Sequence, residues 1–411
     1  MNYKQVLAFL NARPNFERSQ KYSYKRDLDL ARVRNALTAL NDPHYSYPSI
    51  VVAGTNGKGS VCAMLSAALC AHGYRVGLYT SPHIIDIRER IQVNGVWIST
   101  IAFRHIVSRI RRKVLAKILR SLTYFELMTV IMFVYFAQKK VDIAVLEVGM
   151  GGRLDATNVV KPLVSVITEI GFDHEDKLGR TLSKIAGEKA GIIKKHGLVV
   201  SAPQKPEAAK AITACARKQD AHLYMLKRNN AKVKMRLLGE HQRENYYVAL
   251  HALRCIRPFL PHSLQESVIK RAMTCVTMPG RLELIARRPD VFLDGAHNAA
   301  ALDKSFKALT KTFPGRRRVI VIGIARDKNL KRIVKVIERH RLKMILTQSS
   351  SERALSFHDF ICAVSGSSAI IAGSKDVRAA IDLARTSVGA GGVVHVCGSF
   401  YLIADVKKIK T

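Results

Sequence analysis

Acidic residues are scarce in this sequence. Against 67 Lys and Arg, the 411 residues include only 31 Asp and Glu, a formal net charge of +36. Such an excess raises the local concentration of any polyanion, so nucleic acid, anionic membrane and multiply charged small substrates all stay in the comparison until a specific site decides. Trp occurs once, and the seven Cys are scattered, odd in number and never spaced as CxxC. That excludes a zinc ribbon and a disulfide framework, and favours reduced thiols in a cytosolic compartment. No apolar run reaches about 18 residues, and residues 1–41 are polar and basic without a hydrophobic signal core, so neither a membrane span nor export is expected. Repeats, coiled-coil heptads and low-complexity tracts are absent too. With 48% apolar residues, the chain has the means to build substantial cores, and its length predicts about two to three domains of roughly 100–200 residues.

Periodicity predicts a helix over 25–40, with Leu28, Leu30, Val33, Leu37 and Leu40 on one face. A β-branched strand over 49–53 follows, then the turn GTNGKGS, then a helix of small and apolar residues ending near Gly73. Further strands are expected at 75–80, 142–148, 163–167 and 196–202, with helices over 121–137 and 181–193. From about residue 279 the pattern restarts with a strand pair, then strands at 318–323, 343–347 and 393–397 between helices at 299–312, 328–339 and 376–386. Such alternation predicts an α/β fold with mostly parallel sheets, whose ligands bind beyond the C-terminal strand ends.

Chemistry-bearing residues gather at those strand ends. In Gly54-Thr55-Asn56-Gly57-Lys58-Gly59-Ser60 the spacing departs from strict GxxxxGK[ST] because Gly59 separates Lys58 from Ser60. The physics is nonetheless that of a phosphate loop. Glycines let backbone N–H groups wrap an anion, a helix N-terminus adds favourable potential, Lys58 supplies a cation, and Ser60 can offer a hydroxyl to Mg²⁺. Glu147, at a strand end before GMGGRLDATN, suits a Mg²⁺ ligand or equally a helix cap or salt-bridge partner. His174 is a second metal candidate, or a hydrogen-bonded loop residue. Asp294 and His297 in DGAHN can orient a nucleotide or form a plain turn, and Arg281 can clamp a phosphate. Residues 104–120 alternate Arg and Lys with aliphatics and contain no acid, which predicts one amphipathic helix with a positive wet side, or a contact for membrane or nucleic acid.

Together the stretches VVAGTNGKGSVCAML, YTSPHIIDIRERIQVNG, LTYFEL, AVLEVGMGGRLDATNVV, GEKAGIIK, HQREN, MPGRLE, LDGAHN and VCGSFYLIADV resemble the folylpolyglutamate synthase/dihydrofolate synthase family of Mur-ligase-like ATP-dependent amide ligases. The resemblance runs over nearly the whole chain. It implies an N-terminal P-loop-type ATPase domain with a mostly parallel sheet over 1–278 and a smaller Rossmann-like α/β domain over 279–411. Lys58 with Gly57 and Gly59 would hold the ATP phosphates, Asn245 would lie near the adenine, and Arg281, Asp294 and His297 would face the nucleotide. Ser60, Glu147, His174 and Lys189 would organise Mg²⁺, Lys189 as a carbamate. Ser81, Pro82 and His83, with Thr123, Phe125 and Glu126, would face the pterin. The implied catalytic residues are Lys58, His174, Lys189 and Arg281.

The implied reaction passes the ATP γ-phosphate to a carboxylate of dihydropteroate or a reduced folate, and the L-glutamate amine attacks the acylphosphate. The motifs do not separate a two-function enzyme from either single-function kind. The remaining alternative, a basic nucleic-acid-binding ATPase, leaves Lys58, Glu147, His174, Lys189 and Asp294 without a shared task. A cytoplasmic monomer with small-molecule substrates, no specific nucleic acid and no membrane is therefore expected. The chain departs from the family pattern at Ala299, at Tyr246-Tyr247 and at Asn329.

Overall fold

The computed structural model describes residues 1–19, 22–229 and 233–410. Two compact units divide them. The first comprises Met1–His83, Ile87–Val233 and Glu244–Val276, and the second comprises Ile84–Asp86, Lys234–Arg243 and Thr277–Thr411. The chain therefore enters the second unit twice, briefly, before its main crossing at Thr277, which a single seam in the sequence does not convey.

In the first unit, strands β1 (Ser49–Ala53), β2 (Val76–Tyr79), β3 (Ile91–Val93), β4 (Val96–Trp97), β5 (Ile143–Glu147), β6 (Val164–Ile167), β7 (Leu198–Ser201) and β8 (His222–Met225) form one sheet in the order β4-β3-β2-β5-β1-β6-β7-β8. From β2 to β8 all pairings are parallel, whereas β3 and β4 join antiparallel at one edge. Every residue of β1, β2, β5 and β6 is buried, as expected for strands covered on both faces. The Lys58–Ala71 helix lies against β1, β2 and β5, and the Glu266–Thr274 helix packs on it. The Tyr124–Gln138 helix, apolar on all sides, is sunk in the core.

In the second unit, β9 (Glu283–Ala286), β10 (Asp290–Leu293), β11 (Arg318–Ile322), β12 (Lys343–Leu346), β13 (Ile370–Gly373) and β14 (Val393–Cys397) form a sheet in the order β13-β12-β11-β14-β10-β9. Only β9 runs antiparallel. Both units have the α/β architecture that strand–helix alternation implies.

Two expected helices are broken. Over 25–40 the structure has a four-residue turn, Tyr24–Asp27, then extended Leu28, then a Leu30–Thr38 helix capped by Asp29, whose carboxylate accepts the Ala31 N–H at 2.8 Å. The cap ends the periodic run because its side chain competes for backbone donors. Over 104–120 the chain forms a Thr100–Lys113 helix and a separate Ala116–Ser121 helix, with Val114 extended between them. Phe103, Ile106, Val107 and Ile110 are buried along the first, so its amphipathic character is as expected. Part of its basic side is used in packing. Arg104 donates to the Met1 carbonyl at 2.8 Å, and Arg111 and Arg13 lie over the Phe9 ring at 5.3 and 4.6 Å.

Candidate active site

Strand β1 stops at Ala53 and a helix starts at Lys58, so four residues make the turn between them. Gly54 and Gly57 have φ of +150° and +88°, a backbone region that L side chains avoid. Space forbids a side chain as well. A Cβ on Gly54 would lie 1.8 Å from Thr168 Oγ1, and one on Gly57 would lie 2.3 Å from Asn245 Oδ1. Asn245 thus rests on the loop itself.

The turn is tied to the end of β6. Thr55 and Asn56 donate their N–H groups to the Glu169 carbonyl at 2.9 and 3.3 Å, while Thr55 Oγ1 donates to the Gly171 carbonyl at 3.1 Å and accepts its N–H at 3.0 Å. The following helix has no side-chain cap, and its Val61 N–H bonds back to the Gly57 carbonyl. First-turn N–H groups of such a helix have no intrahelical acceptor and add to the positive end of its dipole, which makes an anion site. Lys58 Nζ curls over this end, 3.4 Å from the Thr55 carbonyl, and Ser60 is buried there.

Lys189 approaches from below. It is buried at the end of the Leu182–Ala190 helix and donates from Nζ to the Gly54 carbonyl at 2.8 Å. Burial, with the Lys58 charge nearby, lowers its pKa from 10.5 to about 7, against weaker support from Asp173 and Asp155. The amine is therefore ready to lose its proton near neutrality.

Glu147 closes β5 and is buried. Its Oε2 accepts the Ser81 N–H at 3.0 Å, which fastens the loop leaving β2 to the neighbouring strand end. His174, with φ of +51°, precedes the short Glu175–Leu178 helix, and its N–H bonds the Asp173 carboxylate at 3.0 Å. Among the described residues no three His, Cys, Asp or Glu side chains form a metal-holding group. Of the four residues expected at Mg²⁺, Ser60 and Lys189 stand at the phosphate turn, while Glu147 holds the Ser81 N–H and the His174 N–H bonds Asp173.

Thr123 and Glu126 have a local task at the start of the Tyr124–Gln138 helix. Thr123 Oγ1 accepts the Glu126 N–H at 3.2 Å, and Glu126 Oε2 accepts the Thr123 N–H at 2.7 Å. This reciprocal cap buries both side chains, and burial pushes the Glu126 carboxyl pKa up. Phe125, partly exposed, packs on Gly149, where a Cβ would meet its ring at 2.6 Å.

In the second unit, Arg281, Asp294 and His297 come together beyond β10. The Arg281 guanidinium stacks 4.9 Å from the Phe400 ring centroid, and His297 lies 6.3 Å from the same ring. His297 Nδ1 donates to the Gly295 carbonyl at 2.8 Å. Asp294 is buried and accepts the Ser305 hydroxyl, which also lies 3.2 Å from His395 Nε2. Burial raises the Asp294 pKa, opposed by Ser305 and then Arg281. Desolvation lowers that of His395 to about 3. Sequence reasoning missed Ser305 and His395. Their one signal was a His inside the apolar run VVHVC, which spacing alone does not connect to Asp294. Thr168, Glu169 and Gly171 were missed for the same reason, since only the β1–β6 pairing brings them to the loop.

Family models match along the chain in the same order as the units. The Mur ligase middle domain matches residues 52–253, and the Mur ligase glutamate ligase domain matches residues 280–400. The dihydrofolate synthase/folylpolyglutamate synthase of Bacillus subtilis is 33% identical over 406 residues, covering 92% of this chain and 94% of that protein. The Mycobacterium tuberculosis protein of the same name is 35% identical over 373 residues, covering 80% and 76%. Among solved structures, M. tuberculosis folylpolyglutamate synthase complexed with ADP and AMPPCP superposes with a TM-score of 0.87 at 31% identity, covering 99% of this chain and 98% of that one. E. coli FolC in complex with DHPP and ADP gives a TM-score of 0.86 at 27% identity, covering 100% and 98%. The chain belongs to the dihydrofolate synthase/folylpolyglutamate synthase family of Mur-ligase-like, ATP-dependent amide ligases.

Proposed function

We propose that this protein joins L-glutamate to 7,8-dihydropteroate and, in a second activity, to tetrahydrofolate and its polyglutamates, with ATP consumed at each addition. The observation that carries the proposal is the Gly54–Ser60 turn. It combines left-handed glycines, an uncapped helix start and Lys58, while the Ser81 loop is fastened to the adjacent strand end by Glu147.

The γ-phosphoryl group of ATP passes to the acceptor carboxylate, breaking the bond to the β-phosphate oxygen and releasing ADP. The glutamate amine then attacks the acyl carbon, and inorganic phosphate leaves as the amide forms. Lys58 and the first-turn N–H groups face the β- and γ-phosphates, so that charge on the transferring oxygens is neutralised, and Arg281 is a further phosphate-binding cation. Asn245, Asp294 and His297 orient the nucleotide. Ser81, Pro82, His83 and Phe125 receive the pterin side of the acceptor. Thr123 and Glu126 act through the helix cap that sets Phe125 in place.

Mg²⁺ would be held by Ser60, Glu147 and His174 together with phosphate oxygens, and when bound it supplies further charge neutralisation. Lys189 fits a carbamate. The buried Lys189 ammonium and the partly exposed Lys58 ammonium repel, and adding CO₂ to the Lys189 amine replaces that repulsion with attraction to Lys58 and to a cation. The proposal extends to a monomer working in the cytoplasm, checked by sedimentation and cell fractionation.

The deciding assay offers ATP, Mg²⁺ and glutamate with either dihydropteroate or tetrahydrofolate. Amide product from both acceptors is expected. Product from one alone would reduce the protein to a single-function ligase, and ADP release indifferent to either acceptor would remove the ligase assignment.

A further inference from the structure

We propose that Ser305 and His395 are positioning residues for nucleotide binding, which through two hydrogen bonds in series keep Asp294 a charged and fixed acceptor beyond β10. The nucleotide half of this statement rests on the role given above to Asp294.

His395 lies on β14, the strand between β10 and β11, where it pairs with Phe292 on one side and Ile320 on the other. Only 2% of it is exposed, and the Phe306 ring stands at 88° to it with centroids 5.6 Å apart. Ser305 belongs to the Ala299–Thr312 helix, which Asn298 caps directly after Asp294, Gly295, Ala296 and His297. Leu302, Phe306 and Leu309 bury the same side of that helix, so Ser305 is a buried polar residue in an apolar face. Its hydroxyl donates to Asp294 Oδ2, and its oxygen lies 3.2 Å from His395 Nε2. His395 Nε2 and Asp294 Oδ2 are 3.9 Å apart, too far for a direct hydrogen bond, so Ser305 is the link.

A serine hydroxyl has a single proton, and a buried carboxylate attracts it most strongly, as a charge-assisted hydrogen bond. Ser305 Oγ can then only accept from His395, so the imidazole proton lies on Nε2 and Nδ1 is bare. His395 Nδ1 has no hydrogen-bond partner among the described residues, which fits a bare nitrogen better than an N–H. The opposite order, with the Ser305 proton turned to Nε2, would bury an Nδ1–H without an acceptor and leave Asp294 Oδ2 without its donor. Besides Ser305 and His395, the titratable and charged groups in range of Asp294 are Arg281, His297 and Cys397. Burial pushes the Asp294 carboxyl up, and the Ser305 bond is the largest force against it. Phosphate oxygens repel a carboxylate, so a nucleotide meets charged Asp294 through O–H or N–H groups, for which a protonated carboxyl is the poorer acceptor.

Isothermal titration of ATP into the full-length protein tests the relay. Ser305→Ala should weaken ATP binding by about 10-fold at pH 7.5, the loss of roughly one hydrogen bond, with the acceptor KM unchanged. Ser305→Thr keeps the hydroxyl and should bind ATP as the wild type does. Without the hydroxyl, burial raises the Asp294 carboxyl further, so the acid limb of ATP affinity should move to higher pH in Ser305→Ala. A lowered melting temperature with wild-type ATP affinity and an unmoved acid limb would reduce Ser305 to packing and overturn the proposal.

His395 supplies a second reading. His395→Gln keeps an N–H near the Nε2 position and should bind ATP more tightly than His395→Leu; equal affinities would count against the relay. In ¹⁵N-histidine-labelled wild-type protein, the ring whose signals vanish in these variants should show an unprotonated Nδ1 and a protonated Nε2. An Nδ1–H or an imidazolium there overturns the proposal. Should Ser305→Ala fail to fold, these two measurements decide. Asp294→Asn separates the two halves. Wild-type ATP affinity in that variant removes the nucleotide role of Asp294 and the proposal with it. Weakened ATP binding there, beside wild-type behaviour of Ser305→Ala, strikes the relay alone.

Discussion

At Gly57 backbone geometry and space impose the same demand. Its φ of +88° strains any L side chain, and Asn245 Oδ1 occupies the place of a Cβ. Gly57→Ala should therefore cost about 1–3 kcal/mol through the backbone alone, and displace Asn245 besides. Isothermal titration should show ATP binding weakened by at least about 10-fold, with a lowered melting temperature; unchanged ATP affinity would contradict the cradle.

Lys189 gives a prediction with a sign in pH. Its folded pKa of about 7 lies below the ordinary 10.5, so the folded protein releases this proton before the unfolded chain does. The contribution to stability is therefore complete above pH 10.5 and is lost as pH falls through about 7. The neutral amine that reacts with CO₂ grows in over the same rise from about pH 7. In bicarbonate labelled with ¹³C, a carbamate resonance should gain intensity between pH 6.5 and 8.5 and be missing from Lys189→Ala, which should fold but lose ligase activity. Full activity in that variant would defeat the carbamate.

Among the elements, the Tyr124–Gln138 helix separates packing from site geometry. It is buried on every side, so amphipathic registration does not orient it, and the reciprocal Thr123–Glu126 cap fixes where it starts. Thr123→Ala should cost about 1–2 kcal/mol, seen as a lower urea midpoint. Because Phe125 sits in the same first turn, the acceptor KM should rise while the ATP KM stays constant. An unchanged urea midpoint would show that the cap carries no weight.

Element existence was legible where periodicity was strong: the buried strands β1, β5, β6, β11 and β14 and the helix after the phosphate turn are all foreshadowed by their residues. Element ends were less so. Val114 has an ordinary aliphatic side chain and its extended backbone carries no local signal, so one expected basic helix becomes two. Asp29 was a visible cap, but the apolar spacing of Leu28 and Leu30 runs straight across it.

For the whole molecule, the +36 charge exceeds what phosphate and carboxylate contacts need. Some of the excess is structural, since Arg104 donates to the Met1 carbonyl, Arg111 and Arg13 stack on Phe9, and Arg13 also donates to the Leu119 carbonyl. Crowding shows in Arg13, whose pKa is lowered by burial and by Arg120 and Arg111. DNA should be retained weakly and released steeply with salt, as surface charge alone dictates. ATP turnover should respond to a folate acceptor and ignore DNA; stimulation by DNA would revive a nucleic-acid role.

By itself the sequence determined the α/β class, the phosphate turn and the family, because these rest on local order: glycines at set spacing, a lysine beside them, and strands alternating with helices. Only the tertiary structure decided that Thr168 and Asn245 make two of those glycines obligatory, that Lys189 reaches the Gly54 carbonyl, and that the buried Arg90 guanidinium bonds both Glu17 and His83. Each of these joins residues far apart in sequence through strand pairing and burial, and spacing along a chain holds no record of which distant partners share one desolvated place.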